Sequence, residues 1–304
     1  MKSDSELMNE LAKRTDYLRK LTDEESAALK KELLAMYVDI HRLCKAHHLT
    51  VMLCGGSCLG AIRHHGFIPW DDDLDLLMPR RDYEQLIRLL EQGKLGEKYE
   101  FDAPNAKTDA KNVFLKIYRK NTRNVDIYSD EKMPFPKGVA IDVFALDAMP
   151  GTSLGQKMKG IIANGLQFIS ITVLYAQYPS QHLKEFMSLD PDMKRRYRFK
   201  CALGKLFGII PHRKWVWWFD RFVASEREDR PLGIPTGRKY YAGEIFPRDV
   251  YLPAQEVEFE GTKVYVPNKY DPYLRNLYKD YMKLPPVEKR EQHFIVELKL
   301  PQKE

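Results

Sequence analysis

Residues 22–48 repeat apolar positions with the period of an α-helix. Leu29, Leu33, Tyr37, Ile40 and Cys44 fall on one stripe and are expected to face a core. Thr22 and Glu25 have capping-box spacing, which makes Thr22 the N-cap. His47 and His48 end the segment, where imidazoles suit the negative helix terminus better than a metal. The period then shortens. "TVMLCGGS" (50–57) predicts a short buried strand running into a Gly-Gly-Ser turn, and "CLGAIRHHG" a short helix closed by Gly66. "LDLLM" (74–78) predicts a second strand ended by Pro79, followed by a helix, "RRDYEQLIRLLEQG", stopped by Gly93. "NVFLKIYRK" and "NVDIYS" predict two strands joined near Asn121, and "GVAIDVFAL" (138–146) one more buried strand.

After Met149-Pro150-Gly151 the pattern changes. Residues 153–228 are mostly helical by period, and "RKWVWWFDRFV" concentrates Trp215, Trp217, Trp218, Phe219 and Phe222 between basic residues. "EVEFEGTKVYV" predicts a hairpin turning at Gly261-Thr262, with one apolar face from Val257, Phe259, Val264 and Val266. "YDPYLRNLYKDYMKLPP" predicts a last short helix ended by Pro285-Pro286. The elements describe an α+β fold: a mixed sheet flanked by helices, with a largely helical insertion and a C-terminal β-hairpin. The expected division is a core over 1–150, a helical, aromatic-rich region over 151–245, and a hairpin and helix over 246–304 completing the same fold.

Composition narrows the class. With 304 residues, 44% hydrophobic and 30% charged, the chain has ample core and is not disordered. A net charge of +6 suits acidic substrates, phosphates or an anionic membrane surface. No basic stripe with interleaved aromatics marks nucleic-acid binding. Cys54 and Cys58 form a C-x3-C without the second pair a zinc site needs. With Cys44 and Cys201 they read as free thiols of a reducing compartment. "MKSDSELMNE" lacks the apolar stretch of a signal peptide. Residues 160–176 are apolar but interrupted by Asn164, Gln167, Ser170 and Thr172, which makes them short and polar for a span. The expectation is a cytoplasmic protein.

The chemistry concentrates in "IPWDDDLDLLMP" (68–79), where Asp71, Asp72, Asp73 and Asp75 crowd the edge of an apolar run. Carboxylates that close repel, and near a core they are costly to desolvate. If Leu74 begins a strand, Asp73 and Asp75 share a face about 7 Å apart, and two such carboxylates suit a hard divalent cation. Two cations about 4 Å apart can clamp an in-line phosphoryl transfer. One of Asp71 and Asp72 is expected to cap a turn or stay solvated, so the two are not both assigned as ligands. Asp142 is a lone charge within "VAIDVFAL". It is either half of an ion pair with Lys116 or Arg119, or a third metal carboxylate brought beside Asp73 and Asp75 by strand pairing. It could also accept the proton of an attacking hydroxyl. Asp147 is a weaker candidate of the same kind. Gly55, Gly56 and Ser57 precede a helix, where backbone N–H groups can approach a phosphate.

Together, the Gly-Gly-Ser turn, Asp-x-Asp and a later strand aspartate resemble the nucleotidyltransferase fold. "CGGSCLGAIRHHGFIPWDDDLDLLMPRRDYEQL", "IDVFALD" and "YLRNLYKDYMKLPP" resemble, in order, the signature of the LicD family of phosphotransferases, over about Leu43 to Pro286. That resemblance implies transfer of phosphocholine from CDP-choline to a hydroxyl of a cell-surface glycan precursor, teichoic acid or lipopolysaccharide, with CMP leaving. Related members transfer ribitol phosphate from a CDP donor. It implies Mg²⁺ or Mn²⁺ held by Asp73, Asp75 and Asp142. Donor phosphates would then lie against Gly56 and Ser57, with Arg63, Lys116 and Arg119 as further phosphate-binding candidates. A quaternary ammonium is read by aromatic faces. Trp70, Trp217, Trp218, Tyr240 and Tyr241 are candidates, and for the Trp cluster helix-core packing competes. The same Trp residues, flanked by Arg213, Lys214 and Arg221, together with the apolar helix suit peripheral contact at the inner membrane face, as a lipid-linked acceptor would require.

Overall fold

The computed structural model describes residues 4–104, 109–286, 290 and 294–301, with side chains from residue 7 onward. Residues 1–3 of the opening segment lie outside the described residues, and Asp4–Arg14 forms helix α1. Helix α2 (Asp23–Ala46) starts from Thr22 with both halves of the capping box in place. Its stripe Leu29, Leu33, Tyr37, Ile40 and Cys44 is buried, joined by Met36. Each fully buried aliphatic side chain stabilises the fold by roughly 1.5–3 kcal/mol.

The main sheet runs in the order β1-β2-β6-β4-β3, built from β1 (Met52–Leu53), β2 (Asp75–Pro79), β3 (Tyr99–Asp102), β4 (Leu115–Arg119) and β6 (Ala140–Ala148). Its sixth strand, β7 (Leu232–Gly233), pairs with the end of β6 and comes from within the helical region. Only β2 and β6 run parallel among these strands; the other pairs are antiparallel. Helix α4 (Arg80–Glu91) packs on β2 and β6, and α2 packs on β6. Edge strand β3 has no clear apolar alternation and is absent from the sequence expectation. Strand β5 (Arg123–Val125) turns away after Asn121, whose φ is 60°, and pairs with β10 (Glu297–Lys299) instead of extending the main sheet.

Three local expectations are corrected. Gly55-Gly56-Ser57 is not a turn but the first turn of helix α3 (Gly55–His64), N-capped by Cys54. That helix is closed by His65 in the left-handed conformation; Gly66 is small because the Glu260 side chain occupies the place of a Cβ. The hairpin β8 (Gln255–Phe259) and β9 (Thr262–Val266) turns at Glu260-Gly261, both with positive φ, one residue earlier than expected. Its tip is fixed to the main domain, since Glu260 accepts from Phe67 N–H at 3.0 Å and donates its own N–H to His65 O.

The helical region comprises α5 (Ser153–Gln177), α6 (Gln181–Met187), α7 (Pro191–Phe207) and α8 (His212–Val223). It is anchored to the sheet by one buried cation. Arg80 donates Nε and Nη2 to Asp147 at 2.8 and 2.7 Å and Nη1 to Asp220 of α8 at 2.8 Å. After the short helix α9 (Arg248–Tyr251), helix α10 (Tyr270–Tyr278) stops before the expected prolines. Lys279 turns left-handed at φ 58°, and the chain from 279 to 286 runs on as loop.

Candidate active site

A cleft of about 520 Å³ opens at the N-terminal end of α3. Cross-strand register builds one wall. Asp75 faces Asp142 across the parallel pair, Asp142 faces Lys116, and Lys116 faces Asp102. Cross-strand neighbours share a face, so four charged residues form a single row over β2, β6, β4 and β3. Leu74 is buried, and Asp73 and Asp75 point away from it into the cleft with Asp71.

The row is unevenly neutralised. Lys116 Nζ lies 2.9 Å from Asp142 Oδ1. Burial opposes the ammonium, but Asp142, Asp126 and Asp102 outweigh it and hold its pKa above the ordinary lysine value. At Asp73, burial and then the charges of Asp75, Asp71, Asp72 and Asp142 push the carboxyl well above its usual range. At the far end, burial raises Asp102 to about 7, although Tyr118 O–H donates to it at 3.0 Å.

The N-terminus of α3 faces carboxylates rather than open space. A Cβ on Gly56 would sit 2.8 Å from Asp71 Oδ2, and one on Gly55 would sit 3.5 Å from Asp75 Oδ2. The positive helix end thus meets two of the clustered aspartates. Gly55 N–H donates to Tyr273 O–H of α10 at 3.0 Å, and Ser57 Oγ accepts from Asp75 N–H at 2.9 Å. Ser57 is buried outside the cleft lining and holds the start of β2 in place.

The lining also holds cations: Arg63, Arg238, Lys283 and Arg290 line the cleft, together with Glu244 and Asp280. Arg63 donates Nη1 to Tyr281 O at 2.6 Å. The guanidinium of Arg290 lies 4.2 Å from the centre of the Trp70 ring, and that of Arg63 lies 6.0 Å away. Arg238 sits over Tyr278 at 5.7 Å. Phe114 and Phe144, packed at 4.7 Å, form an aromatic patch in the lining. Lys30 of α2 donates to the carbonyls of Ile68 and Pro69 at 3.2 and 2.8 Å and so pins the loop before the aspartates.

Of the residues named from sequence, Gly55, Gly56, Arg63, Trp70, Asp73 and Asp75 meet in this cleft, while Lys116 and Asp142 stand behind it as an ion pair. Arg119 lies elsewhere, bonded to Glu32 at 2.9 Å, and Asp147 is consumed by Arg80. Trp217, Trp218, Tyr240 and Tyr241 are not in the lining. Tyr241 is fully buried in a separate core, and Trp215 donates to Phe207 O at 3.3 Å. Arg238, Lys283, Arg290 and Tyr278 were missed as site residues. Lys283 and Tyr278 lie in "YLRNLYKDYMKLPP", which was the available signal.

The donor set is hard oxygen, as a divalent cation requires. Among the described residues, however, no three His, Cys, Asp or Glu side chains are grouped as metal ligands, and Asp142 is paired with Lys116.

Residues 48–142 match the family described as LicD/FKTN/FKRP, nucleotidyltransferase domain. That match covers about a third of the chain. That stretch contains α3, the aspartate cluster and Asp142. The chain is 27% identical over 289 residues to the lipopolysaccharide cholinephosphotransferase LicD of Haemophilus influenzae, covering 92% of this chain and 98% of that relative. It is 35% identical over 78 residues to an uncharacterized protein of Rickettsia prowazekii, covering 29% of that relative.

Proposed function

We propose that this protein is a LicD-type transferase that moves phosphocholine from CDP-choline to a hydroxyl of a cell-surface glycan, lipopolysaccharide or teichoic acid, and releases CMP. The observation that carries the reading is the cleft itself, whose lining combines Asp71, Asp73 and Asp75 with Arg63, Arg238, Lys283 and Arg290. A diphosphate fits between, its charge met by the cations. The acceptor oxygen forms a bond to the phosphorus bearing choline, the bond to the CMP oxygen breaks, and the hydroxyl proton passes to the carboxylate cluster. Asp73 and Asp75 would hold Mg²⁺ or Mn²⁺, which would neutralise the donor phosphates; Asp142 is paired with Lys116 and would have to leave it to join them as a third carboxylate. Because guanidinium groups already cover Trp70, the aromatic surface for the trimethylammonium falls to Phe114 and Phe144. The similarity to the Haemophilus cholinephosphotransferase along nearly its whole length supports this choice of alcohol.

The test is to incubate the full chain with CDP-choline, Mg²⁺ or Mn²⁺ and a glycan acceptor, and to measure CMP together with the mass gained by the glycan. Equal release of CMP and glycan-bound phosphocholine is expected. Pyrophosphate released from a nucleoside triphosphate, with CDP-choline left intact, would replace the reading with nucleotidyl transfer.

A further inference from the structure

The helical region leaves apolar side chains in solvent along three packed helices. On α5, Leu154, Met158, Ile161 and Phe168 are exposed at helical spacing, with Ile162 beside them and Ile161 at 74%. The opposite side of the same helix, at Gly160, Ala163, Ser170 and Val173, is buried against the protein. On α7 the exposed line is Arg195, Arg198, Phe199, Lys205 and Leu206, continuing to Ile209 at 87% beyond the helix end. On α8, Lys214, Trp217, Trp218 and Arg221 follow the same spacing, with Trp218 exposed. The stripes are neighbours. Gly204 of α7 packs directly on the Thr172 carbonyl of α5, and Lys200 lies 6.0 Å from the ring of Phe168. Lys159 of α5 donates to Val223 O at the end of α8.

Charge identifies what covers this surface. Residues 153–223 contain twelve Lys and Arg against four Asp and Glu, a net +8, whereas the whole chain is +6. The positive excess of the molecule therefore lies in the region that exposes the apolar stripes.

We infer that α5, α7 and α8 form a docking face for a lipid bilayer containing anionic headgroups. Leu154, Ile161, Ile162, Leu206 and Ile209 enter the acyl boundary while the flanking Lys and Arg meet the headgroups. Aliphatic insertion and a basic rim are the two signals that together give stable peripheral attachment. A second copy fits poorly, because a two-fold contact would set one +8 surface against another. Nucleic acid would leave the aliphatic side chains without a partner. By length and composition α5 could cross a membrane, but a full side of it is packed on protein and Gln177 bonds to Gly208 O at 2.8 Å. It lies along the surface.

The test uses the full chain and vesicles of phosphatidylcholine alone or mixed equally with phosphatidylglycerol, read by flotation. Binding to the mixed vesicles and little to the neutral ones is expected. Ile161→Asp with Ile209→Asp, and separately Arg195→Glu with Arg198→Glu, should each lower partitioning by roughly tenfold or more. Added salt should weaken what remains of binding in the first pair more than in the second. Circular dichroism confirms folding of both, and transfer to a soluble acceptor should be unchanged. The inference is overturned by absence of flotation with mixed vesicles, by variants that float like wild type, or by a concentration-dependent dimer that Ile161→Asp abolishes. The vesicle measurement needs no substrate, so its failure leaves the proposed reaction untouched.

Discussion

Two groups of carboxylates each take one member from the same strand, β6: Asp142 and Asp147, five residues apart and so on opposite faces of the sheet. At Asp147 the charge is fully spent. Oδ1 accepts from Arg80 Nε and from Ser225 N–H, Oδ2 accepts from Arg80 Nη2, and Asp220 takes the remaining arm of the guanidinium. Tyr83 lies beneath, 5.1 Å from the cation. On the other face, Asp142 and Lys116 neutralise each other, but burial and then the surrounding carboxylates raise the pKa of Asp73. The first group is a lock between the sheet and α8. The second holds negative charge in a cleft where a cation or a positively charged ligand lowers its energy. Burial alone does not separate a structural carboxylate from a functional one; the sign of the neighbours does.

Breaking each group should therefore have opposite consequences. Arg80→Ala strands two buried carboxylates and should cost about 3–5 kcal/mol of stability, seen in urea unfolding. If its stability is unchanged, the lock is not one. Asp73→Asn should do the reverse, leaving the melting temperature equal or higher while lowering phosphocholine transfer by roughly 10²–10³-fold. Divalent cation should raise the melting temperature of the wild type more than that of Asp73→Asn. Loss of stability with retained transfer would move Asp73 into the structural group.

The row's outer end sharpens the contrast through pH. Asp102 binds its proton more tightly in the folded chain, with a pKa of about 7 against 3.8. Its contribution is then greatest at low pH and falls as pH rises from about 4 to 7. Asp102→Asn should flatten that fall, measured as the difference between the two proteins' urea midpoints across the window. The smallest effect is expected at Ser57→Ala, which leaves the Asp75 N–H without its 2.9 Å acceptor. It should cost about 1 kcal/mol, with a loss of transfer that exceeds the loss of stability because Asp75 is no longer held in place.

Local pattern determined much of this molecule. The capping box and stripe of α2, the strands around Leu76 and Val143, and the pairing of Asp73 with Asp75 across Leu74 follow from period and sterics within a few residues. The register that sets Asp75 beside Asp142 was anticipated as strand pairing, and the alternative ion pair with Lys116 is present as well, since both are neighbours in one row. Tertiary structure decided the rest. Only packing turned the Gly-Gly-Ser stretch into helix and set Asp71 and Asp75 at its positive end. It ended α10 at Tyr278, so that the following loop carries Lys283 across the cleft. It also consumed Asp147 and Arg119 in ion pairs far from the chemistry. The residue types and their spacing specify what a segment can do. Which charges face one another depends on segments distant in the chain, 67 residues apart for Arg80 and Asp147 and 140 for Arg80 and Asp220, and that distance is closed only by the folded core.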